Sequence, residues 1–135
     1  MLRLSRDLAD QMVAHCLVGL PDEACGLLGG RNDAGVVEVL YPTANDAKSA
    51  KVYTIPPREH LRADRDAEDR GLSIIGVFHS HTRTEAYPSP TDVAQAPDPA
   101  WHYVIVSLRD TAPAIRSFRI SEGAITEEQV ELIDR

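Results

Sequence analysis

The chain has 135 residues, 43% hydrophobic and 26% charged, the balance of one soluble globular domain rather than of a disordered or fibrous protein. A chain of this size buries roughly two-thirds of the surface it exposes when unfolded, so it needs no disulfides to fold. Twenty-one acidic residues against fourteen basic ones leave a net charge of −7, which repels a phosphate backbone and excludes nucleic acid as the expected partner.

Leu8, Met12, Val13, Cys16 and Leu17 recur at helical spacing after Ser5, which predicts a first amphipathic helix capped by Ser5 and stopped at Gly19. Three strands are predicted next, at Ala24 to Gly30, Val36 to Tyr41 and Val52 to Ile55, each a short apolar or β-branched run bounded by turn residues. Pro56 and Pro57 open a charged helix that runs from Arg58 to Arg70 and ends at Gly71. Leu72 to His79 is nearly continuous in apolar residues and reads as a strand buried on both faces. A short helix from Thr91 to Ala96 follows among four prolines, then strands at Tyr103 to Leu108 and Ile115 to Ile120, and a last short strand after the turn at Gly123. Strands mixed with two or three helices, without a repeat or a dividing linker, predict one α/β sandwich spanning 1–135.

Charged residues at Arg3, Arg6, Asp7 and Asp10 interrupt any apolar signal-peptide core. The longest apolar stretch, Leu72 to Phe78, falls far short of the roughly 20 residues a membrane helix requires. A cytoplasmic protein without membrane contact and with reduced thiols is expected.

The segment from His79 to Asp92 carries the chemistry. Side chains two apart on a strand point the same way, so His79 and His81 can reach one metal ion. Asp92, at the start of a short helix behind Pro88, Ser89 and Pro90, can return a carboxylate to them. Two imidazoles and one carboxylate leave a fourth position open for water. Zinc suits such a set because it has no redox chemistry and tolerates a change of coordination number, although the residues alone also admit iron, cobalt or manganese.

These residues resemble the JAMM, or MPN+, metalloprotease family. Its pattern is an upstream Glu, then His-Ser/Thr-His, seven residues, Ser, two residues and Asp, which this sequence matches without a gap from His79 to Asp92. Pro21-Asp22-Glu23-Ala24-Cys25-Gly26-Leu27-Leu28-Gly29 is similar to the family's first-strand signature. The resemblance implies a cytidine-deaminase-like sandwich with a mixed sheet and one zinc per chain on His79, His81 and Asp92. It also implies Glu23 as general base and Ser89 as donor to the developing oxyanion. Thr82 stands where a proline often follows the second histidine, which separates the chain from the commonest subgroup without touching a ligand. The run from His79 to Ser89 is similar to members that release cysteine from the Gly-Gly C-terminus of a small ubiquitin-like sulfur carrier, a partner the resemblance therefore implies. The chain lacks room for the long insertions of the eukaryotic deubiquitinases, so polyubiquitin is not the expected substrate. Rival readings are a general isopeptidase acting on lysine conjugates, a small-molecule amidase and a non-catalytic scaffold.

Arg83 lies on the loop between the second histidine and Ser89, where it can bind a substrate carboxylate or stay solvated. Ser80 is expected to pack behind the ligands. Cys16, Cys25, Trp101 and Tyr103 read as packing residues, and His15, His60 and His102 lack metal-like spacing.

Overall fold

The computed structural model describes residues 1–31 and 33–134. In chain order the elements are β1 (Leu2–Ser5), α1 (Arg6–Gly19), β2 (Cys25–Arg31), β3 (Val36–Thr43), α2 (Pro57–Asp69), β4 (Ser73–His81), α3 (Pro90–Ala94), β5 (His102–Ser107), β6 (Ala114–Ser121), β7 (Ala124–Glu128) and β8 (Val130–Ile133). The strands form one mixed sheet in the order β7-β6-β5-β4-β2-β3-β1-β8. The pairs β4–β5, β1–β3 and β1–β8 are parallel, and the others are antiparallel. The predicted α/β class with a mixed sheet and three helices is what the chain adopts.

The helix α1 begins where Ser5 Oγ accepts the Leu8 amide at 3.1 Å, a cap worth about 1 kcal/mol. Its Ala9, Met12 and Cys16 meet Leu28, Phe78, Val104 and Val106 on one face of the sheet. On the other face, Ala63 of α2 packs with Leu27, Val77, Tyr103 and Ile120. Fully buried side chains such as Phe78 and Leu28 contribute roughly 1.5 to 3 kcal/mol each by leaving water.

A bulge in β4 sets the phase of its functional end. Leu28 pairs with Gly76 but Gly29 pairs with Ile74, so Ile75 is an extra residue on β4, and such an insertion reverses the faces taken by the side chains that follow. Ile75 and Phe78 therefore both join the α1 core, whereas Val77 joins the α2 side. Alternation beyond the bulge puts His79 and His81 on the side of Val77, and Ser80 on the side of Phe78. Residue 76 is glycine because a Cβ there would run into the carbonyl oxygen of His102 on β5.

Three expectations need correction. Val52 to Ile55 is not a strand. Asn45 takes up its backbone groups, donating from Nδ2 to the Val52 carbonyl at 3.0 Å and accepting the Thr54 amide at 2.9 Å. Tyr53 and Ile55 then pack on the α2 side, so the β-branched run reflects a half-buried surface and not a ladder. The second correction is β1, which was hidden as the lead-in to α1 and buries Leu2 and Leu4. The third is that two strands, not one, follow Gly123, and β7 and β8 lie at opposite ends of the sheet order with only Gln129 between them. The sheet must curl until its edges nearly meet.

Glu128 sits at that closure and accepts from His102 Nδ1 at 2.6 Å and from Ser117 Oγ at 2.7 Å. Burial alone would raise its pKa, but these hydrogen bonds outweigh it and hold the carboxyl down at about 2, against an ordinary 4.5. A depressed carboxylate stabilises the fold above its unfolded pKa and loses that contribution as pH falls through its folded pKa. Wild type should therefore exceed Glu128→Gln in stability at neutral pH, with the gap closing as pH falls from about 4.5 towards about 2. Urea midpoints of both proteins across that range check this. A gap that stays constant with pH would show that the Glu128 charge does not contribute.

Candidate metal centre and catalytic cleft

The end of β4 brings His79 and His81 together with Nε2 atoms 3.1 Å apart. Both approach one oxygen, Asp92 Oδ2, at 3.2 and 3.0 Å. Asp92 is the third residue of α3, where it and Ser89 form a capping box. Asp92 Oδ2 accepts the Ser89 amide at 2.9 Å, and Ser89 Oγ accepts the Asp92 amide at 3.1 Å. The short helix thus fixes the carboxylate and the serine as one rigid unit. His81 Nδ1 faces the Glu85 carbonyl at 2.8 Å. A carbonyl can only accept, so Nδ1 carries the proton and Nε2 of the neutral ring offers a lone pair to the centre. The ring of His79 is stacked on Tyr53 at 4.3 Å between centroids.

This donor set fits a metal ion. Two imidazole nitrogens and a carboxylate oxygen, all buried, lie within 4.8 Å of one another. A lone pair on His81 Nε2 aimed at a carboxylate oxygen is repulsive unless a cation or a proton is shared between them. Bonds of about 2.0 to 2.1 Å, as zinc makes to nitrogen and oxygen, put tetrahedral ligands roughly 3.3 Å apart, close to the 3.0 to 3.2 Å seen here. Burial opposes charge on Asp92, yet the two imidazoles facing Oδ2 and the Ser89 amide bonded to it keep its carboxyl far below the usual range. His79 is driven towards its neutral form by burial, the form that ligates metals.

Glu23 precedes β2 and reaches the same place through backbone ties. Ser80 donates its amide to the Ala24 carbonyl at 3.0 Å and accepts the Ala24 amide on Oγ at 2.9 Å. The Glu23 amide donates to the Ser49 carbonyl at 2.8 Å, and its carbonyl accepts from Asn45 Nδ2 at 2.9 Å. The side chain is 4% exposed, and Oε1 has no hydrogen-bond partner among the described residues. An orphaned carboxylate oxygen beside a metal-type donor set marks Glu23 as a candidate reactive group. Burial pushes Glu23 up to about 8, with the Asp92 charge adding to the rise and His81 opposing it. A dication nearby would draw it down again.

Glu23, His81 and Ser89 line one cleft of ≈ 390 Å³, with Lys51, Thr82 and Arg83 on its walls. Ser89 Oγ uses one lone pair for the Asp92 amide, so its O–H proton is free to donate into the cleft. The structure therefore brings Glu23, His79, His81, Ser89 and Asp92 into one site with Arg83 beside it. Cys25 is held away from it by Thr43 and Ala44, and burial raises its thiol to about 11, which argues against a nucleophile. Sequence reasoning missed Asn45, Tyr53 and Lys51. Asn45 carried a signal, since a lone Asn between a strand and a β-branched run is a loop-forming residue.

A mixed sheet between helices, with two imidazoles at the end of a central strand and a carboxylate and serine on the following short helix, defines a JAMM-type hydrolytic enzyme. Residues 5–121 match the prokaryotic homologs of the JAB domain, and the chain belongs to that family. It is 42% identical over 135 residues to the CysO-cysteine peptidase of Mycobacterium tuberculosis, covering 99% of this chain and 92% of that protein. It is 33% identical over 111 residues to the desampylase of Haloferax volcanii, covering 78% and 80% of the two chains. A solution structure of a Desulfitobacterium hafniense protein, 39% identical, superposes with a TM-score of 0.92 over 100% of this chain and 94% of that one.

Ser80→Ala should leave the buried Ala24 amide without an acceptor and destabilise the fold by about 1 to 3 kcal/mol. Urea denaturation measures this, and unchanged stability would remove Ser80 from the support of the Glu23 segment.

Proposed function

We propose that residues 1–135 act as one catalytic domain in the cytoplasm, a zinc-dependent peptidase that cuts the amide after the C-terminal Gly-Gly of a ubiquitin-like sulfur carrier and releases cysteine. The observation that carries this reading is that Glu23 and Ser89 open onto the same cleft as the His79, His81 and Asp92 cluster. The identity to a CysO-cysteine peptidase over nearly the full chain supports the carrier and the leaving group.

In this reading His79, His81 and Asp92 hold one zinc ion, which supplies Lewis acidity that polarises the scissile carbonyl and acidifies water. Glu23 accepts a proton from the attacking water and passes it to the departing amine, so one carboxyl serves both steps. Its lack of any competing hydrogen bond leaves Oε1 available for that transfer. The free hydroxyl proton of Ser89 donates to the oxygen that gains charge during attack. Tyr53 and the Glu85 carbonyl keep the two imidazole planes in place.

A second reading, removal of a ubiquitin-like modifier from lysine side chains, is favoured by the desampylase relative. The residues and their roles are the same, and only the leaving amine differs.

Elemental analysis of zinc-loaded protein should find about one zinc per chain, and mass spectrometry should show loss of cysteine from the CysO–cysteine adduct. His79→Ala, His81→Ala and Asp92→Ala should lose metal and activity together. Glu23→Gln should keep metal and lose turnover by about a hundredfold or more. Full activity without metal, or equal metal loss in Glu23→Gln, would overturn the assignment.

A further inference from the structure

Among the described residues that line the cleft, the lysine and arginine side chains are Lys51 and Arg83. The cleft that contains Glu23 and Ser89 is also lined by Lys51 and Arg83, which come from two different loops. Both are exposed, and among the described residues neither has a carboxylate within ion-pairing distance, a condition they share with Lys48, Arg58, Arg62 and Arg65, none of which lines this cleft. In a chain of net charge −7 the only two lysines, Lys48 and Lys51, fall on the segment beside this cleft. Thr82 Oγ1 donates to the Ala50 carbonyl at 3.4 Å, which ties the two cation-bearing loops together.

The position of Glu23 says which half of a substrate occupies this cleft. A carboxyl that returns its proton to the leaving amine must be within hydrogen-bond reach of it, so the leaving group lies beside Glu23. Glu23 lines the cationic cleft and a smaller pocket of ≈ 210 Å³ beside Asp22 and Asn45, but not the apolar cavity of ≈ 320 Å³ lined by Leu27, Tyr53, Ile55, Val77 and Trp101. Of the two pockets that Glu23 lines, the one that also holds His81 and Ser89 is the one with Lys51 and Arg83.

Resting on the peptidase reading, we propose that Lys51 and Arg83 form a carboxylate subsite on the leaving-group side, which selects amines bearing an α-carboxylate over lysine side chains. An α-amino acid released from a peptide bond carries its carboxylate one carbon from the new amine, within the same cleft. A lysine side-chain amine carries none near the bond. Arginine takes a carboxylate through two parallel N–H bonds, and lysine adds a point charge from the other loop. Because both cations are exposed, salt screens them, and the preference is expected to weaken as ionic strength rises.

The test compares three conjugates of the same carrier: CysO joined to cysteine, to cysteamine, which lacks the carboxylate, and to the Nε of a lysine peptide. Zinc-loaded wild type should cleave the cysteine adduct with kcat/KM at least about tenfold above the cysteamine adduct, the scale of one lost charge-assisted hydrogen bond. Arg83→Ala and Lys51→Ala should each lower that ratio, largely through KM, while leaving cleavage of the cysteamine adduct near wild type. Lys51→Arg should restore it. Equal wild-type rates on the cysteine and cysteamine adducts would overturn the subsite while leaving the peptidase reading standing, and this comparison needs no variant to fold. Equal losses on both adducts in the variants would also overturn it. Cleavage of none of the three would overturn the peptidase reading and the subsite with it.

Discussion

The antiparallel seam between β2 and β4 joins the two parts of the site that lie far apart in sequence. Cys25 pairs with His79 across it, and Ser80 bonds Ala24 in both directions one residue further on. Glu23 is therefore fixed beside the histidines by backbone geometry and not by its own side chain, whose Oε1 stays without a partner. The seam depends on glycine at 26, where a Cβ would meet the Phe78 ring and the Tyr41 carbonyl. Phe78 in turn anchors the α1 core, so the packing that stabilises the sheet also sets the distance from Glu23 to the His79, His81 and Asp92 cluster. Catalytic precision of this kind comes from rigid elements rather than from contacts made by the reacting groups themselves.

Two carboxyl groups share a buried space here, and the protein around them pushes their pKa values in opposite directions. Asp92 receives two imidazoles and the Ser89 amide and is kept ionised. Glu23 receives none of these and is raised to about 8 by burial, with the Asp92 charge adding to the effect. Separate environments for paired acids are how one site obtains a fixed anion and a mobile proton at neutral pH. The acidic surface has no part in this, since the net charge of −7 is a property of solvated groups, whereas the separation arises from dehydration and hydrogen bonds.

The parts of the site that follow from local periodicity were readable in the sequence. His79 and His81 share a face because strands alternate, and Ser89 and Asp92 sit three apart because a capping box requires it. The apolar run before His79 was readable for the same reason. Glu23 was found through the family pattern, because no local rule connects residue 23 to residue 79. The bulge at Ile75 was hidden, since it is a matter of register against β2, and the need for glycine at 76 is set by the His102 carbonyl on a neighbouring strand. So was the curl of the sheet, which depends on β1 pairing with β8 and on Glu128 meeting His102. Val52 to Ile55 misled because β-branched residues report burial, and the loop buries them without a ladder.

That misread loop also explains why Arg83 was legible as a substrate contact and Lys51 was not. Arg83 hangs directly between His81 and Ser89, so its place beside the cleft follows from chain order alone. Lys51 reaches the cleft only because Asn45 folds the segment after β3 back over Glu23, holding the Glu23 and Val52 carbonyls with one amide. The side chain that holds Glu23's backbone therefore also presents Lys51 to the leaving group. Loss of Asn45 would disturb the base and the leaving-group wall together, whereas exchange of Lys51 or Arg83 alters charge on exposed loops without touching the ligand set. A fold of this construction can change the amine it releases while its metal chemistry stays constant, because the scaffold that fixes the chemistry and the loop charges that choose the leaving group are separate residues.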